Sequence, residues 1–343
     1  MSRPQPFPAR TGPAAAPGLA FAYAPAETLA RQLADDRVLA AFGFGDAAPA
    51  SDDPRWLRVP LAPLGDGPPL IEVWRGEGRV ERGRDGDVAW ASDGQLLFAA
   101  LEVDEAASGI EAAAERAYAR MAAFMAGCDT PHLLRIWNYM DAITLGEGDE
   151  ERYRRFCVGR VAGMGGLEAT RLPAATAIGS TDGRRRLQVY WLASREPGTP
   201  VENPRQVSAY RYPRQYGPQA PSFARAMLPP AAGAMPLLLS GTAAIVGHAS
   251  QHSDSVHAQL DETLANIDSV IATARRHAPQ LPASPGAGSL LKVYVRDRGD
   301  APAVAAHLSE RLDPAVPRLL LHAQVCRREL RVEIDGVHGP AAG

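Results

Sequence analysis

The stretch CRRELRVEIDG, Cys326–Gly336, decides how the C-terminal end of the chain folds. Its apolar side chains, Leu330, Val332 and Ile334, alternate with polar ones, which is the period of a β-strand that buries one face. Glu333 projects from the opposite face. Two interpretations of that face are open. Either it is solvated, or it forms a subunit interface or a cleft in which Glu333 is the working acid.

The order of predicted elements around this strand occurs twice along the chain. Each half contains one or two strands, a helix, a strand, a second helix and two further strands, although no residues align between the halves. The first half comprises a strand at 95–103, a helix at 106–126, LLRIWNYM, the helical stretch ERYRRFCV, TAIGS and LQVYWLAS. The second comprises PLLLSGTAAIVG, a helix at 253–276, LLKVYVRD, a helix at 301–312, RLLLHAQVC and LRVEIDGV.

This repetition predicts an α+β fold of two pseudo-repeated mixed β-sheet and helix units, with the helices on one face of each sheet. The other sheet face, which carries Glu333, must then be covered by a second unit or by a neighbouring subunit. Because Cys326 ends the predicted strand RLLLHAQVC, we expect it to form a hairpin with the next strand and to lie close to Glu333 across it.

Composition divides the chain into four segments. We expect a disordered Pro- and Ala-rich tail at 1–19, an N-terminal α+β domain at 20–195, an Arg/Tyr-rich connecting segment at 196–230 and a C-terminal α+β domain at 231–343. The tail lacks the apolar core of a signal peptide, so we expect a cytoplasmic protein.

The bulk composition excludes several classes of function. A chain of 343 residues, 46% hydrophobic and 22% charged, is typical of a globular protein with a sizeable core. A net charge of -3 gives no basic field for nucleic acid, and no apolar run approaches the ~18 residues of a membrane span. Lys292 is the only lysine, which leaves one candidate for Schiff-base chemistry.

We predict neither a metal nor a cofactor. GFG at 43–45 and GMGG at 163–166 lack the strand–glycine–helix context of a nucleotide site. The spacing of His248, His252 and His257 matches no standard zinc pattern. The three cysteines are odd in number and far apart, so they form no disulfide framework.

The connecting segment is too rich in arginine and tyrosine for a simple linker. Arg225, Tyr210 and Tyr212 suit recognition of a small carboxylate, by a bidentate ion pair and phenolic hydroxyls. The tyrosines are two positions apart, so in a strand-like segment they would line one surface. The alternative is a structural wrap over the first half.

Five blocks in this chain resemble the chorismatase family, whose members remove the enolpyruvyl group of chorismate. In order they are RIWNYMDAI, ERYRRFCVGR, ENPRQVSAYRYPRQYGPQAPSFARAML, LLLSGTAAIVGH and CRRELRVEI, and the resemblance extends from Ala40 to Val337. It implies a C-terminal half similar to the reactive-imine deaminase (chorismate-mutase-like) fold, which forms trimers with active sites between subunits. A monomer and a homotrimer both remain open.

The resemblance also implies roles for individual residues. Glu333 corresponds to the catalytic acid, while Cys326 stands where the family separates its product classes. A cysteine there accompanies formation of a hydroxybenzoate, whereas a small residue accompanies hydrolysis to a dihydrodiol acid and pyruvate. The second distinguishing position falls at Ala243, near Gly241, and leaves the product open. The arginines expected to bind the two substrate carboxylates are Arg135, Arg160 and Arg225, helped by Tyr210 and Tyr212.

The chemistry explains why a glutamic acid would suit this site. Protonation of the enol ether requires a proton donor, but a free glutamate with a pKa of about 4.3 is ionised at neutral pH. Burial and a dianionic substrate would both raise its pKa. We therefore expect chorismate to give 3- and/or 4-hydroxybenzoate and pyruvate. The alternatives are a chorismate hydrolase, a non-catalytic ligand-binding protein of the deaminase fold and a plain imine deaminase.

Overall fold

The computed structural model describes residues 18–165, 168, 171–230 and 234–340, and across this range the fold is α+β. Most of the predicted tail lies outside the described residues, and Leu19 already begins the first strand. Three mixed β-sheets carry their helices on one face each. No helix in the described ranges is long and apolar enough to cross a membrane.

The N-terminal sheet has four strands and one short helix. Its elements are β1 (Leu19–Pro25), α1 (Leu29–Ala34), β2 (Val38–Phe44), β3 (Trp56–Val59) and β4 (Leu70–Gly76). The spatial order is β1-β4-β2-β3, in which β2 and β3 are parallel and the other neighbours antiparallel.

The middle sheet has six strands, and two helices pack on its outer face. Its elements are β5 (Glu81–Asp85), β6 (Val88–Ser92), β7 (Leu96–Asp104), α2 (Gly109–Met125), β8 (His132–Asp141), α3 (Arg152–Met164), β9 (Ala174–Ser180) and β10 (Arg186–Ser194). The spatial order is β5-β6-β7-β10-β8-β9, with a single parallel pair, β8 and β9.

The C-terminal sheet repeats this design. Its elements are β11 (Thr199–Val201), β12 (Ala226–Leu228), β13 (Leu237–Ala243), the small hairpin β14 (Ile245–Val246) and β15 (Ala249–Ser250), α4 (Val256–Ala274), β16 (Leu290–Val295), α5 (Ala301–Arg311), β17 (Arg318–His322) and β18 (Val332–His338). The spatial order is β11-β12-β13-β18-β16-β17, again with one parallel pair, β16 and β17.

The predicted pseudo-repeat is confirmed, because the middle and C-terminal sheets share both strand order and strand directions. The N-terminal sheet has the same strand order as the last four strands of each of the other two, β7-β10-β8-β9 and β13-β18-β16-β17, so it is a reduced third copy. The range 20–195, predicted as one unit, therefore contains two sheets. Sequence periodicity missed the third copy since α1 has six residues and β3 four, too few for a clear pattern.

The open faces of the three sheets meet in one aromatic core. Phe42 and Trp74 from the N-terminal sheet pack against Trp137 and Tyr190 from the middle sheet, and the last two rings stack at 4.8 Å. The prediction that a second unit covers the inner face of the Glu333 strand is therefore correct, and the covering sheets belong to the same chain.

The only lysine lies in this core as an ion pair. Lys292 Nζ donates to Glu72 Oε2 at 2.9 Å, which connects the C-terminal and N-terminal sheets. The charges of Asp335 and Glu72 raise the pKa of this buried amine against the opposing effect of desolvation. Lys292 therefore keeps its proton, which excludes it as a neutral amine nucleophile.

Candidate active site

A cavity of about 590 Å³ opens between the middle and C-terminal sheets. Helix α3 and strand β9 form one wall, and β13, β18 and the loop 323–331 form the other, with the connecting segment alongside. Seven of the nine residues predicted from the sequence line it: Arg160, Tyr212, Arg225, Gly241, Ala243, Cys326 and Glu333. We refer to this cavity as the first cleft.

Glu333 projects from the inner face of β18 into the first cleft. Its neighbours on the adjacent strands are Ala243 and Tyr294, and its side chain is only 5% exposed. Burial raises the pKa of Glu333 to about 8, and the negative charge of Asp335 adds to this effect against three arginines. The carboxyl group is therefore protonated at neutral pH and can act as an acid.

Asp335 lies two residues beyond Glu333 on the same face of β18, behind the cleft wall. Four donors converge on its Oδ2, at 2.7 to 3.0 Å: Arg135 Nη2, Trp137 Nε1, Thr176 Oγ1 and Tyr294 OH. Its Oδ1 lies 3.6 Å from Lys292 Nζ. These contacts hold a buried charge in a fixed place, and that charge keeps the acid on Glu333 weak.

The structure places Arg135 differently from the prediction. It lies on β8, fully buried, and pairs with Asp335 and with the Oγ1 of Thr176. It does not line the first cleft. Position 135 on β8 faces the core between the sheets, and Thr176 forms the cleft wall in front of it. Arg135 therefore balances the buried charge of Asp335.

Arg160 reaches the cleft from α3, which packs unusually closely against α2. A Cβ at Gly159 or Gly163 would overlap the backbone carbonyls of Glu111 and Glu115, so the two glycines permit this approach. The Arg160 guanidinium lies 5.2 Å from the ring of Tyr118 and is 3% exposed. Its Nε and Nη2 have no hydrogen-bond partner among the described residues, so they can bind an anion.

Arg225 approaches the cleft from the side of β11 and β12, next to the rings of Tyr212 and Phe223. Its Nη2 donates to Tyr212 OH and to the Val207 carbonyl, both at 2.8 Å. The guanidinium lies 5.1 Å from the ring of Phe223, and its Nε has no partner in the described part of the chain. Tyr212 therefore orients Arg225, which has an N–H left for a ligand.

Tyr210 does not share this surface. Residues Ala209–Arg211 form a 3-10 turn in place of the predicted strand-like segment, so the period of two that would align Tyr210 with Tyr212 is absent. Tyr210 packs beside Arg211 and does not line the first cleft. Its predicted role in substrate binding has no support from its position.

Cys326 lines the first cleft, but it does not belong to the predicted hairpin. Strand β17 ends at His322 and pairs with β16, so Cys326 lies in the loop that leads to β18. Burial and the nearby charge of Glu333 raise the pKa of its thiol well above the ordinary value. The thiol is neutral, which makes it a space-filling group or a weak donor and not a thiolate nucleophile.

Several lining residues escaped the sequence analysis. Arg327 stacks on the ring of Tyr216 at 4.1 Å and donates to the His248 carbonyl at 2.9 Å. Tyr153 and Thr176 line the opposite wall. Arg327 lies beside the already noted Cys326, whereas Thr176 sits in a run of small residues that carries no recognisable signal.

The arrangement combines a neutral carboxylic acid with guanidinium groups on two walls. Such a site can bind a small carboxylate and protonate it at a carbon or oxygen atom near Glu333. Among the described residues no group of three or more His, Cys, Asp and Glu side chains could hold a metal ion.

Comparison with known proteins gives concordant results. The family model "Chorismatase FkbO/Hyg5-like, N-terminal" matches residues 72–193. A Streptomyces rapamycinicus protein named chorismatase is 37% identical over 277 residues, covering 78% of this chain and 82% of the relative. A Streptomyces hygroscopicus protein named 3-hydroxybenzoate synthase is 37% identical over 279 residues, covering 78% of this chain and 81% of the relative.

A solved structure gives the same result at the level of the fold. The crystal structure of a chorismatase aligns with a TM-score of 0.80 and 31% identity. The alignment covers 94% of this chain and 98% of the solved one. The likeness therefore includes all three sheets of the described chain.

Proposed function

The chain belongs to the chorismatase family of enzymes, and we propose that it converts chorismate to a hydroxybenzoate and pyruvate, with Glu333 as the proton donor. The observation that carries the proposal is the position of Glu333. Its buried carboxyl group, with a pKa raised to about 8, meets a cleft in which Arg160 and Arg225 have unused N–H donors.

The two arginines and the acid divide the work of binding and chemistry. Chorismate carries two carboxylates, and guanidinium groups bind such groups with defined orientation. Glu333 then transfers its proton to the terminal methylene carbon of the enol ether, which leaves an oxocarbenium ion and a carboxylate beside it. Removing such a general acid typically costs about 10²–10⁴-fold in rate.

In the hydroxybenzoate branch, the bond between the ring carbon and the pyruvyl oxygen breaks, and the ring loses a proton that restores the acid form of Glu333. The atoms of chorismate are then fully accounted for by hydroxybenzoate and pyruvate, and no net water is consumed. In the hydrolase branch, one water adds to the oxocarbenium carbon, and the products are a non-aromatic diol acid and pyruvate. The two branches therefore differ in whether water reaches the carbon next to Glu333.

We assign the hydroxybenzoate branch because of Cys326. The relatives named chorismatase and 3-hydroxybenzoate synthase are equally similar to this chain, at 37% identity, so overall identity does not choose between the branches. A neutral thiol beside Glu333 occupies space that a smaller side chain would leave to water. The hydrolase remains the alternative, since Ala243 on the same wall is small.

The walls of the first cleft come from one chain. Strand β9 belongs to the middle sheet and β18 to the C-terminal sheet, so the site needs no second subunit for its completion. We therefore propose a catalytically competent monomer, in preference to the homotrimer that the resemblance also allowed. A specific activity that does not change with enzyme concentration, together with a monomeric mass in solution, would support this.

Incubation of the purified protein with chorismate tests the proposed function. Liquid chromatography with ultraviolet and mass detection should resolve a hydroxybenzoate and an equimolar amount of pyruvate, and the retention time identifies the 3- or 4-isomer. A non-aromatic diol acid would place the protein in the hydrolase branch. Unchanged chorismate would contradict the proposal.

A further inference from the structure

A second cavity, of about 580 Å³, lies between the N-terminal and middle sheets and is nearly as large as the first cleft at about 590 Å³. It is built from corresponding elements. Strand β3 faces β7 and β10 here, as β9 faces β13 and β18 in the first cleft. At the third junction the corresponding edge, β17, is covered by backbone pairing with residues 62–64. In the described part of the chain, the internal repeat has therefore left a cleft open at two of these junctions.

Gln188 lines the second cavity from β10, the strand that corresponds to the strand of Glu333. Its Nε2 donates to the Arg58 carbonyl at 3.0 Å and to Glu102 Oε1 at 2.7 Å, which fixes the orientation of the amide. The side chain is 3% exposed, and its Oε1 has no hydrogen-bond partner among the described residues. An unsatisfied buried carbonyl oxygen is unfavourable, so Gln188 brings an unused acceptor to the cavity lining.

The charges that remain free around this cavity are mainly positive. The guanidinium groups of Arg58 and Arg84 are exposed and make no ion pair within the described ranges. Of the acidic lining residues, Asp87 pairs with Arg120, Asp182 with Arg184 and Glu102 with Arg186. Only Asp52 lacks an ion pair in this part of the described chain. A planar carboxylate suits the two free guanidinium groups.

We propose that the second cavity is a non-catalytic binding site for a small hydroxylated carboxylic acid. Arg58 and Arg84 bind the carboxylate, and a ligand hydroxyl donates to Gln188 Oε1. Gln188 pairs with Tyr139 of β8 as Glu333 pairs with Tyr294 of β16, so it holds the corresponding position. The site binds without turnover, because an amide has no acidic proton to transfer at neutral pH. Hydroxybenzoates, the products of the proposed reaction, belong to this ligand class.

Calorimetric titration of the full-length protein with 3-hydroxybenzoate tests the proposal. We expect the wild type to bind two equivalents and the Arg58→Ala/Arg84→Ala variant to bind one. The variant should turn over chorismate at the wild-type rate. The second affinity should fall at least tenfold. The matched control is Arg31→Ala/Arg276→Ala, which removes the same charge from exposed positions elsewhere and should still bind two equivalents.

A second variant tests the role of the amide. Gln188→Leu should weaken 3-hydroxybenzoate at the second cavity but leave benzoate, which lacks the hydroxyl, unaffected. No binding to the wild type, or a stoichiometry that is unchanged without Arg58 and Arg84, would overturn the proposal. The titration needs no turnover, so a protein that binds two equivalents but leaves chorismate unchanged would refute the proposed function and not this site.

Discussion

The carboxyl group of Glu333 lies directly against the backbone of Gly241, on the neighbouring strand. A Cβ at position 241 would overlap Glu333 Oε1 and approach its Cδ to 3.0 Å. An irregularity in the pairing of β13 with β18, between Leu239 and Thr242, occurs at this point. A side chain at position 241 would therefore collide with the Glu333 carboxyl group, whereas glycine leaves room for this group against the backbone of β13.

Replacement of this glycine should displace the acid. Gly241→Ala forces the Glu333 carboxyl away from its present position, and a shift of about 1 Å in a catalytic group can cost about 100-fold in rate. We expect kcat to fall by roughly that factor. Gly67→Ala, at an exposed position with free space around it, is the control and should retain wild-type kcat. A Gly241→Ala enzyme with normal kcat would show that the position of the carboxyl is unimportant.

The pH dependence of turnover should report the proton on Glu333. The acid must be protonated, so kcat/KM should fall as pH rises through about 8, the raised pKa in the folded protein. Asp335→Asn removes a charge that raises this pKa, which should move the alkaline limb to lower pH. The variant also leaves Arg135 and Lys292 with less compensation, so its unfolding must be followed in parallel.

Thr176→Val is the matched control for this shift. It removes one hydrogen bond to Asp335 but keeps the charge, so the alkaline limb should stay near its wild-type position. If Asp335→Asn folds and its pH profile coincides with that of the wild type, the charge of Asp335 does not set the acidity of Glu333.

The product branch should depend on the side chain at position 326. Cys326→Ala opens space for water beside Glu333, so the ratio of non-aromatic diol acid to hydroxybenzoate should rise by at least tenfold, measured by liquid chromatography and mass spectrometry. The control is Cys157→Ala, which changes a buried cysteine on α3 that does not line the first cleft and should leave the ratio unchanged. An unchanged ratio in Cys326→Ala would remove this residue from the account of product choice.

Substrate affinity should depend on the planar group of Arg160. Lysine keeps the charge but loses the paired N–H donors, so Arg160→Lys should raise KM for chorismate by about tenfold, which corresponds to ~1.4 kcal/mol. Arg155→Lys on the same helix is the control, because Arg155 pairs with Glu111 outside the cleft. Equal KM values for the two variants would exclude Arg160 as a substrate ligand.

Strand period and helix period predicted the paired architecture well. The helix expected at 253–276 is observed at Val256–Ala274, where Ser255 caps the first turn by accepting from the Ala258 N–H. The alternation around Glu333 correctly predicted a strand. The expected covering unit correctly predicted that the second face of this strand is buried as well. Short elements, such as α1, carried too few residues for the same inference.

Side-chain roles were harder to predict because they depend on how the sheets are placed against each other. Arg135 lies in one of the blocks that resemble the family, yet its strand directs it toward Asp335, which is 200 residues later in the sequence and belongs to the C-terminal sheet. Strand β18 pairs with β13 and β16, and not with β17, the strand that precedes it in the sequence. The expected hairpin of Cys326 was therefore wrong, although its expected position near Glu333 at the cleft was right. Long-range strand order of this kind leaves no local signal.

The most direct test of the account is the rate of chorismate turnover by Glu333→Gln. The amide keeps the size of the side chain but has no proton to donate, so we expect the rate to fall by about 10²–10⁴-fold while substrate binding and the folded structure are retained. Glu329→Gln, an exposed residue at the same cleft, should retain the wild-type rate. Wild-type turnover by Glu333→Gln would contradict the assignment of Glu333 as the acid.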